Sequence, residues 1–198
     1  MAGVIRDLVF VCGLRINGVM TISRETESEP VSIALPSAGH EWVVAHVRPR
    51  CEKKLALACE QAAVPCYLPL KKKTHRYGKR RRDFHSPLFP GYVFCLVDSR
   101  QVSVLKQNRY VANLLKVLDQ ETLVQQLRRI RHALSVDDAL EVMPYLEKGK
   151  PVRVTAGPFK GLEGHVHHIK GRTRVVINVD MIQKSVYIEV DHGMLEVG

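Results

Sequence analysis

The sequence predicts an α+β fold in two parts. An antiparallel sheet with helices spans about residues 40–136, and a small all-β barrel spans 149–198. Three observations carry this prediction. From Glu41 to Leu134, strand-like runs alternate with stretches whose apolar residues recur at helical spacing. From Val152 onward only short β-rich runs remain, separated by turn signals. Between the two, 137–148 contains Pro144, runs up to Gly149 and reads as a linker.

In the first part, Trp42 to Val47 is a strand by composition and length. Arg50 to Ala63 is a helix: Leu55, Cys59 and Ala62 share a face, and Pro65 prevents continuation. Val64 to Leu70 is extended. A basic loop follows, with a hairpin turn at Gly78 and a return strand over Arg81 to Phe84. Gly91 to Val97 is a strand with Tyr92, Phe94 and Leu96 on one face and Val93, Cys95 and Val97 on the other. Ser99 to Asn108 reads as a short helix and Val111 to Leu118 as a strand. Asp119 is placed to cap a helix whose stripe is Leu123, Leu127, Ile130 and Leu134. In the second part, five strands are expected: Val152 to Thr155, Gly164 to Ile169, Arg174 to Val179, Ser185 to Val190 and Met194 to Val197. Five strands in so short a stretch fit a small barrel with a marginal core.

Residues 1–39 fit neither pattern. The run Leu8 to Leu14 makes a poor signal peptide, and Thr26 to His40 is polar and broken by Pro30 and Pro36. The segment reads as a flexible extension, or as an over-long start with the true start at Met20. No apolar run approaches a membrane span. The five cysteines (12, 51, 59, 66 and 95) form no C-x-x-C pair, which points to a reducing cytoplasm and away from disulfides or zinc. Cys59 and Cys95 read as small buried hydrophobes.

The net charge is +10, and eight basic residues with no acid lie together at Lys71, Lys72, Lys73, Arg76, Lys79, Arg80, Arg81 and Arg82. One short stretch therefore carries most of the excess. A localised contact with a polyanion is favoured over an ordinary solvated loop.

Residues 149–166 read GKPVRVTAGPFKGLEGHV. The block resembles the KOW motif of small barrels that bind RNA or proteins in transcription and translation. Its positions are Gly157, Phe159, Gly161 and Gly164. Gly161 and Gly164 are expected to serve backbone geometry, and Phe159 to be a loop contact or a turn plug. Residues 86–95 read SPLFPGYVFC. In this order the two blocks resemble the NusG family of transcription elongation factors, which join a ferredoxin/RRM-like NGN domain to a C-terminal KOW barrel. The resemblance covers about 41–198. Leu88 to Phe94 after a basic loop is specific to the family, whereas a KOW block alone is not. The stretches Arg48 to Lys53, Ala63 to Cys66, Ser86 to Pro90, Ile177 to Val179 and Ile182 to Val186 are more similar to specialised, RfaH-type members than to the general factor.

The resemblance implies an elongation and antitermination factor. Its NGN sheet would meet the RNA polymerase clamp through Val44, His46, Phe89, Tyr92 and Phe94, while Trp42 reads as core. The basic loop would lie near upstream or non-template DNA. Gln101, Lys106 and Arg109 match the region where RfaH-type proteins meet the non-template strand, against the plainer reading of an exposed helix and turn. The KOW domain would recruit a NusE-type ribosomal protein, or Rho. A monomer without cofactor or membrane contact is expected. Val175 to Ile177 and Val186 to Ile188 favour strands, so nothing asks for a fold switch. Two rivals remain: a ribosome-associated, RNA-binding KOW protein, and a metal site on His165, His167 and His168. The Phe89 to Phe94 block argues against the first. The second lacks an acid or cysteine to complete a ligand set. No Ser-His-Asp order, phosphate-binding glycine loop or carboxylate pair suggests an enzyme.

Overall fold

The computed structural model describes residues 33–77, 80–146, 149–169 and 172–197, with backbone alone at 75–77, 80–82, 168–169 and 172. Along the chain the elements are β1 (His40–Val47), α1 (Glu52–Gln61), β2 (Cys66–Tyr67), β3 (Leu70–Tyr77), β4 (Arg80–Pro87), β5 (Tyr92–Asp98), α2 (Ser99–Gln107), β6 (Val111–Lys116), α3 (Gln120–Val136), β7 (Glu141–Pro144), β8 (Lys150–Val154), β9 (Glu163–Ile169), β10 (Arg172–Val179), β11 (Lys184–Glu189) and β12 (Leu195–Val197). These elements divide into two compact units. The expected mix of helices with an antiparallel sheet, followed by an all-strand sheet, is present.

The first unit holds 33–68 and 90–118. Its four-stranded sheet has the order β2-β5-β1-β6, with every pair antiparallel. Central strands β1 and β5 are rich in Val, and Trp42 through Ala45 are all buried. Trp42 is core, as expected, and its indole N–H donates to the Ala34 carbonyl at 3.0 Å. That bond and the buried Ile33 tie 33–39 to the sheet. The expected extension is therefore shorter than 1–39, and its first 32 residues lie outside the described ones. Asp98 caps α2 through the amides of Arg100 and Gln101, while the Gln101 side chain accepts from the Asp98 amide. This reciprocal box satisfies helix-end donors and holds the Asp98 carboxyl below its usual pKa, mainly through the Gln101 amide. Cys59, Cys66 and Cys95 are buried together, and Cys66 faces Cys95 across β2 and β5. Hydrogen bonding to Cys59, together with burial, pushes the Cys66 and Cys95 thiols up, so both stay protonated.

The second unit holds 69–89 and the chain from Asp119 onward. Asp119 caps α3 by accepting from the Thr122 amide at 2.9 Å, and the expected stripe Leu123, Leu127, Ile130 and Leu134 is buried. The α3 helix packs on β10. Buried Gln126 donates to the Asp180 carboxylate at 2.9 Å and accepts from the Asp180 amide at 3.2 Å, and Arg129 pairs with Glu163 at 2.9 Å. These bonds group α3 with the C-terminal sheet, whereas the sequence pattern places it in the first domain. The C-terminal sheet is six-stranded, β12-β8-β9-β10-β11-β7, and is consistent with a small barrel.

The expected linker over 137–148 is corrected in part, because Glu141–Pro144 is β7 and pairs with β11. A buried polar triangle fixes its exit. The Ser185 hydroxyl donates to the Asn178 side-chain oxygen at 2.7 Å and accepts from the Leu146 amide at 3.0 Å, and the Asn178 amide donates to the Leu146 carbonyl at 3.1 Å. Two polar residues inside apolar runs thus each donate and accept a hydrogen bond.

Candidate functional site

On one face of the first unit's sheet, register aligns Trp42 with Leu96, Val44 with Phe94, and His46 with Tyr92 on one side and Asn113 on the other. Cover runs out along this face. Trp42, Val44 and Phe94 are each 0% exposed, whereas His46 and Asn113 are exposed and Tyr92 is half-buried. The His46 and Tyr92 rings lie 5.4 Å apart. Of the five residues expected at a partner surface, Val44, Phe89 and Phe94 are therefore corrected to core positions. Phe89 is 1% exposed, and Phe94 lies 6.5 Å from the Tyr67 ring. For Val44 and Phe94 the physical reason is that both faces of central strands β1 and β5 are covered over most of their length.

The turn before Tyr92 is held from α1. Gly91 has φ +86°, a left-handed conformation suited to glycine. Its N–H donates to the Glu52 carboxylate at 2.8 Å, and Glu52 itself is buried. The carbonyl of Gly91 accepts from the Val47 amide at 2.8 Å, closing the β1–β5 edge beside His46.

The expected return strand over Arg81 to Phe84 is present within β4, and the basic segment before it is strand rather than loop: β3 and β4 pair over eight residues each, from Leu70 with Pro87 to Tyr77 with Arg80, while the expected turn at Gly78 lies outside the described residues. Lys71 is half-buried and Lys73 exposed. Lys72 pairs with Asp83 at 3.1 Å, and Thr74 donates to the same carboxylate at 2.7 Å. Arg76, Arg80, Arg81 and Arg82 lie on the strands, and Lys79 falls outside the described residues. The Lys72 amide donates to the Asp138 carbonyl at 2.6 Å, fixing the base of the ribbon.

Gln101, Lys106 and Arg109 fare differently from one another. Gln101 is corrected to a structural role, since its oxygen closes the helix cap and its nitrogen donates to the Ala63 carbonyl at 3.4 Å. Lys106 is exposed in the last turn of α2. Arg109 is exposed, donates to the Tyr110 hydroxyl at 2.8 Å and lies 4.9 Å from that ring's centroid.

In the C-terminal sheet, Gly157 and Gly161 have φ of +79° and +87°. Gly164 serves close approach instead: a Cβ there would lie 2.6 Å from Val175 Cγ1 and 2.7 Å from the Val176 carbonyl oxygen. Phe159 is half-buried and, with Pro158, His192 and Met194, lines an open cavity of about 580 Å³. His165 and His167 stand two positions apart on β9 and so share one face of the strand. No group of His, Cys, Asp and Glu among the described residues is placed to hold a metal ion.

The family model described as transcription termination factor nusG matches residues 40–143, just over half of the chain. The chain belongs to the NusG family. Members of the NusG family are transcription elongation and antitermination factors rather than enzymes, and they generally bind RNA polymerase. A search of curated proteins found no match. No helix among the described residues is long and apolar enough to cross a membrane.

For a NusG-family chain, two residues at this site escape a reading of the sequence. Glu52 sits in the resemblance stretch at the start of α1, but only the fold brings it to Gly91. Asn113 joins Tyr92 and His46 by register across three strands. No local pattern signals either one.

Proposed function

We propose that this NusG-family chain is an elongation and antitermination factor that docks on the RNA polymerase clamp through Tyr92, His46 and Asn113. The observation that carries the reading is the accessible His46–Tyr92 ring pair beside the buried Val44 and Phe94 of the same sheet face. Aromatic anchors beside a desolvated core are the residues that dominate protein interfaces. The docked factor holds the clamp closed, so that pausing and termination fall. Exposed Lys73 and the cationic ribbon reach upstream or non-template DNA, with Lys106 and Arg109 as further contacts. The Phe159 cavity seats a second partner, a NusE-type ribosomal protein or Rho. The stretches at 48–53, 63–66, 86–90, 177–179 and 182–186 favour a specialised, RfaH-type member, acting as a monomer in the cytoplasm.

The test is binding to core RNA polymerase. Tyr92→Ala with His46→Ala should weaken binding by at least about 30-fold, ~2 kcal/mol, with the thermal transition unchanged. Undiminished binding sinks the docking surface. Phe94→Ala is unsuited to this test, because emptying a fully buried aromatic site costs about 3–5 kcal/mol of stability. Occupancy confined to a few operons supports the specialised reading, and uniform occupancy refutes it.

A further inference from the structure

Three cysteines meet inside the first unit. Cys59 lies on the buried side of α1 with Leu55 and Ala56, Cys66 on edge strand β2, and Cys95 on central strand β5. Register sets Cys66 directly opposite Cys95. The Cys66 sulfur also lies 4.0 Å from the Ala56 carbonyl, one turn before Cys59, so it rests against the helix. Both strand thiols donate to the Cys59 sulfur. The cluster thus has one acceptor and two donors. Those donors stabilise a negative charge on Cys59 and hold its thiol below the usual pKa, Cys66 contributing most, while burial opposes them. Neither the docking surface nor the cationic ribbon uses any of the three.

We infer that Cys59 and Cys66 are a reversible redox pair, which hydrogen peroxide or a similarly small hydroperoxide closes to a disulfide. The Cys59 thiolate attacks one peroxide oxygen and the O–O bond breaks. The departing hydroxide takes up the proton that Cys59 gave up on ionising, and leaves as water. The Cys66 sulfur then attacks the Cys59 sulfenic acid. The S–S bond forms as the S–O bond breaks, and hydroxide leaves with the Cys66 proton as a second water. Two thiols give up two electrons, and the peroxide accepts them. Position selects Cys66 over Cys95 as the partner. Cys95 is held between β2 and β1, whereas β2 is two residues long and lies at the sheet edge. Local opening of so short an edge strand frees Cys66 to move and admits a small oxidant. In reducing compartments, disulfides are mostly of this transient, redox-sensing kind.

The experiment treats the reduced full chain with hydrogen peroxide at neutral pH, blocks the remaining thiols with iodoacetamide in denaturant, and maps tryptic peptides by mass spectrometry. Cleavage after Lys54 and Lys71 keeps Cys59 and Cys66 on one peptide, while Cys51 and Cys95 fall on others. The 55–71 peptide should lose both labels together with two hydrogens, and regain both labels after dithiothreitol. Cys95 should keep its label, and closure should outpace oxidation of half-buried Cys51 at least about fivefold. Cys66→Ser should stop at the Cys59 sulfenic acid, which dimedone traps. Cys95→Ala removes one donor to Cys59 and should slow closure at least about twofold. The peptide map comes from the wild-type chain, so it stands even where a variant fails to fold. Loss of the Cys95 label in place of that on Cys66 overturns the choice of pair. Full labelling of 55–71 after Cys51 has been oxidised overturns the inference. So does an equal preference over Cys51 in urea, where the fold contributes nothing.

Discussion

Replacing Glu52 with Ala should loosen the turn that presents Tyr92. Glu52 occupies the first turn of α1, a helix whose N-cap residue, Cys51, makes no side-chain capping bond. Its carboxylate does two things there. It complements the positive end of the helix, worth about 0.3–1 kcal/mol. It also accepts the Gly91 N–H, and a hydrogen bond to a charged group contributes about 1.5–3 kcal/mol. The bond is part-buried, so water partly replaces it and the lower end applies. The expected loss for Glu52→Ala is about 2 kcal/mol. Glu52→Gln keeps an acceptor oxygen and gives up only the charge, so its loss should stay near 1 kcal/mol or below, roughly that of an ordinary neutral hydrogen bond.

The only tryptophan, Trp42, is fully buried in the same sheet and reports unfolding directly. Urea titration followed by its fluorescence gives both losses. If Glu52→Ala costs under about 0.5 kcal/mol, a typical surface substitution, or if Gln costs as much as Ala, the reasoning is wrong. The functional consequence is checked where both variants are folded. There the Ala variant should bind polymerase more weakly than the Gln variant, since only Ala leaves Gly91 without its acceptor. Equal binding would mean that the turn holds Tyr92 without help from α1.

Gly164→Ala should destabilise the C-terminal sheet by about 1–3 kcal/mol, because its methyl overlaps Val175 and the Val176 carbonyl and the core must shift. Gly161 fails differently: its surroundings are open and only its positive φ is strained, so Gly161→Asn should be tolerated where Gly164→Asn is not, as thermal melts would show. The Glu163 carboxyl is held below its usual range, first by hydrogen bonding from Arg153 and then by Arg129. Because the folded pKa is depressed, its contribution is complete above the unfolded value of about 4.3 and fades as pH falls through the folded one. The group is 40% exposed, which keeps the pair below about 1 kcal/mol. Urea midpoints for wild type and Glu163→Gln should accordingly differ slightly at neutral pH and converge in acid; divergence in acid would reverse the assignment.

Local signals make the strands, helices and caps legible. Asp119 with its four-residue stripe, and the alternation on β5, need only neighbours within one or two turns. The basic run is harder. Its charges suggest a loop with only a short return strand, yet Lys73 opposite Phe84 and Thr74 opposite Asp83 belong to an eight-pair ribbon, whose length the runs of Lys and Arg do not signal. Asn178 and Ser185 look like interruptions of apolar runs in the sequence, and only the fold brings the Leu146 backbone to both of them.

The candidate site shows the same limit most sharply. Tyr92 and Phe94 alternate identically and share a face, so no periodicity separates them. What separates them is cover, which reaches Phe94 and stops before Tyr92. Sequence can name the face but not the place where its cover ends. On the docking proposed above, that place is where an anchor stands, next to the buried core and near enough to the edge to meet a partner. Here it falls on His46 and Tyr92, beside a glycine turn fastened from the neighbouring helix.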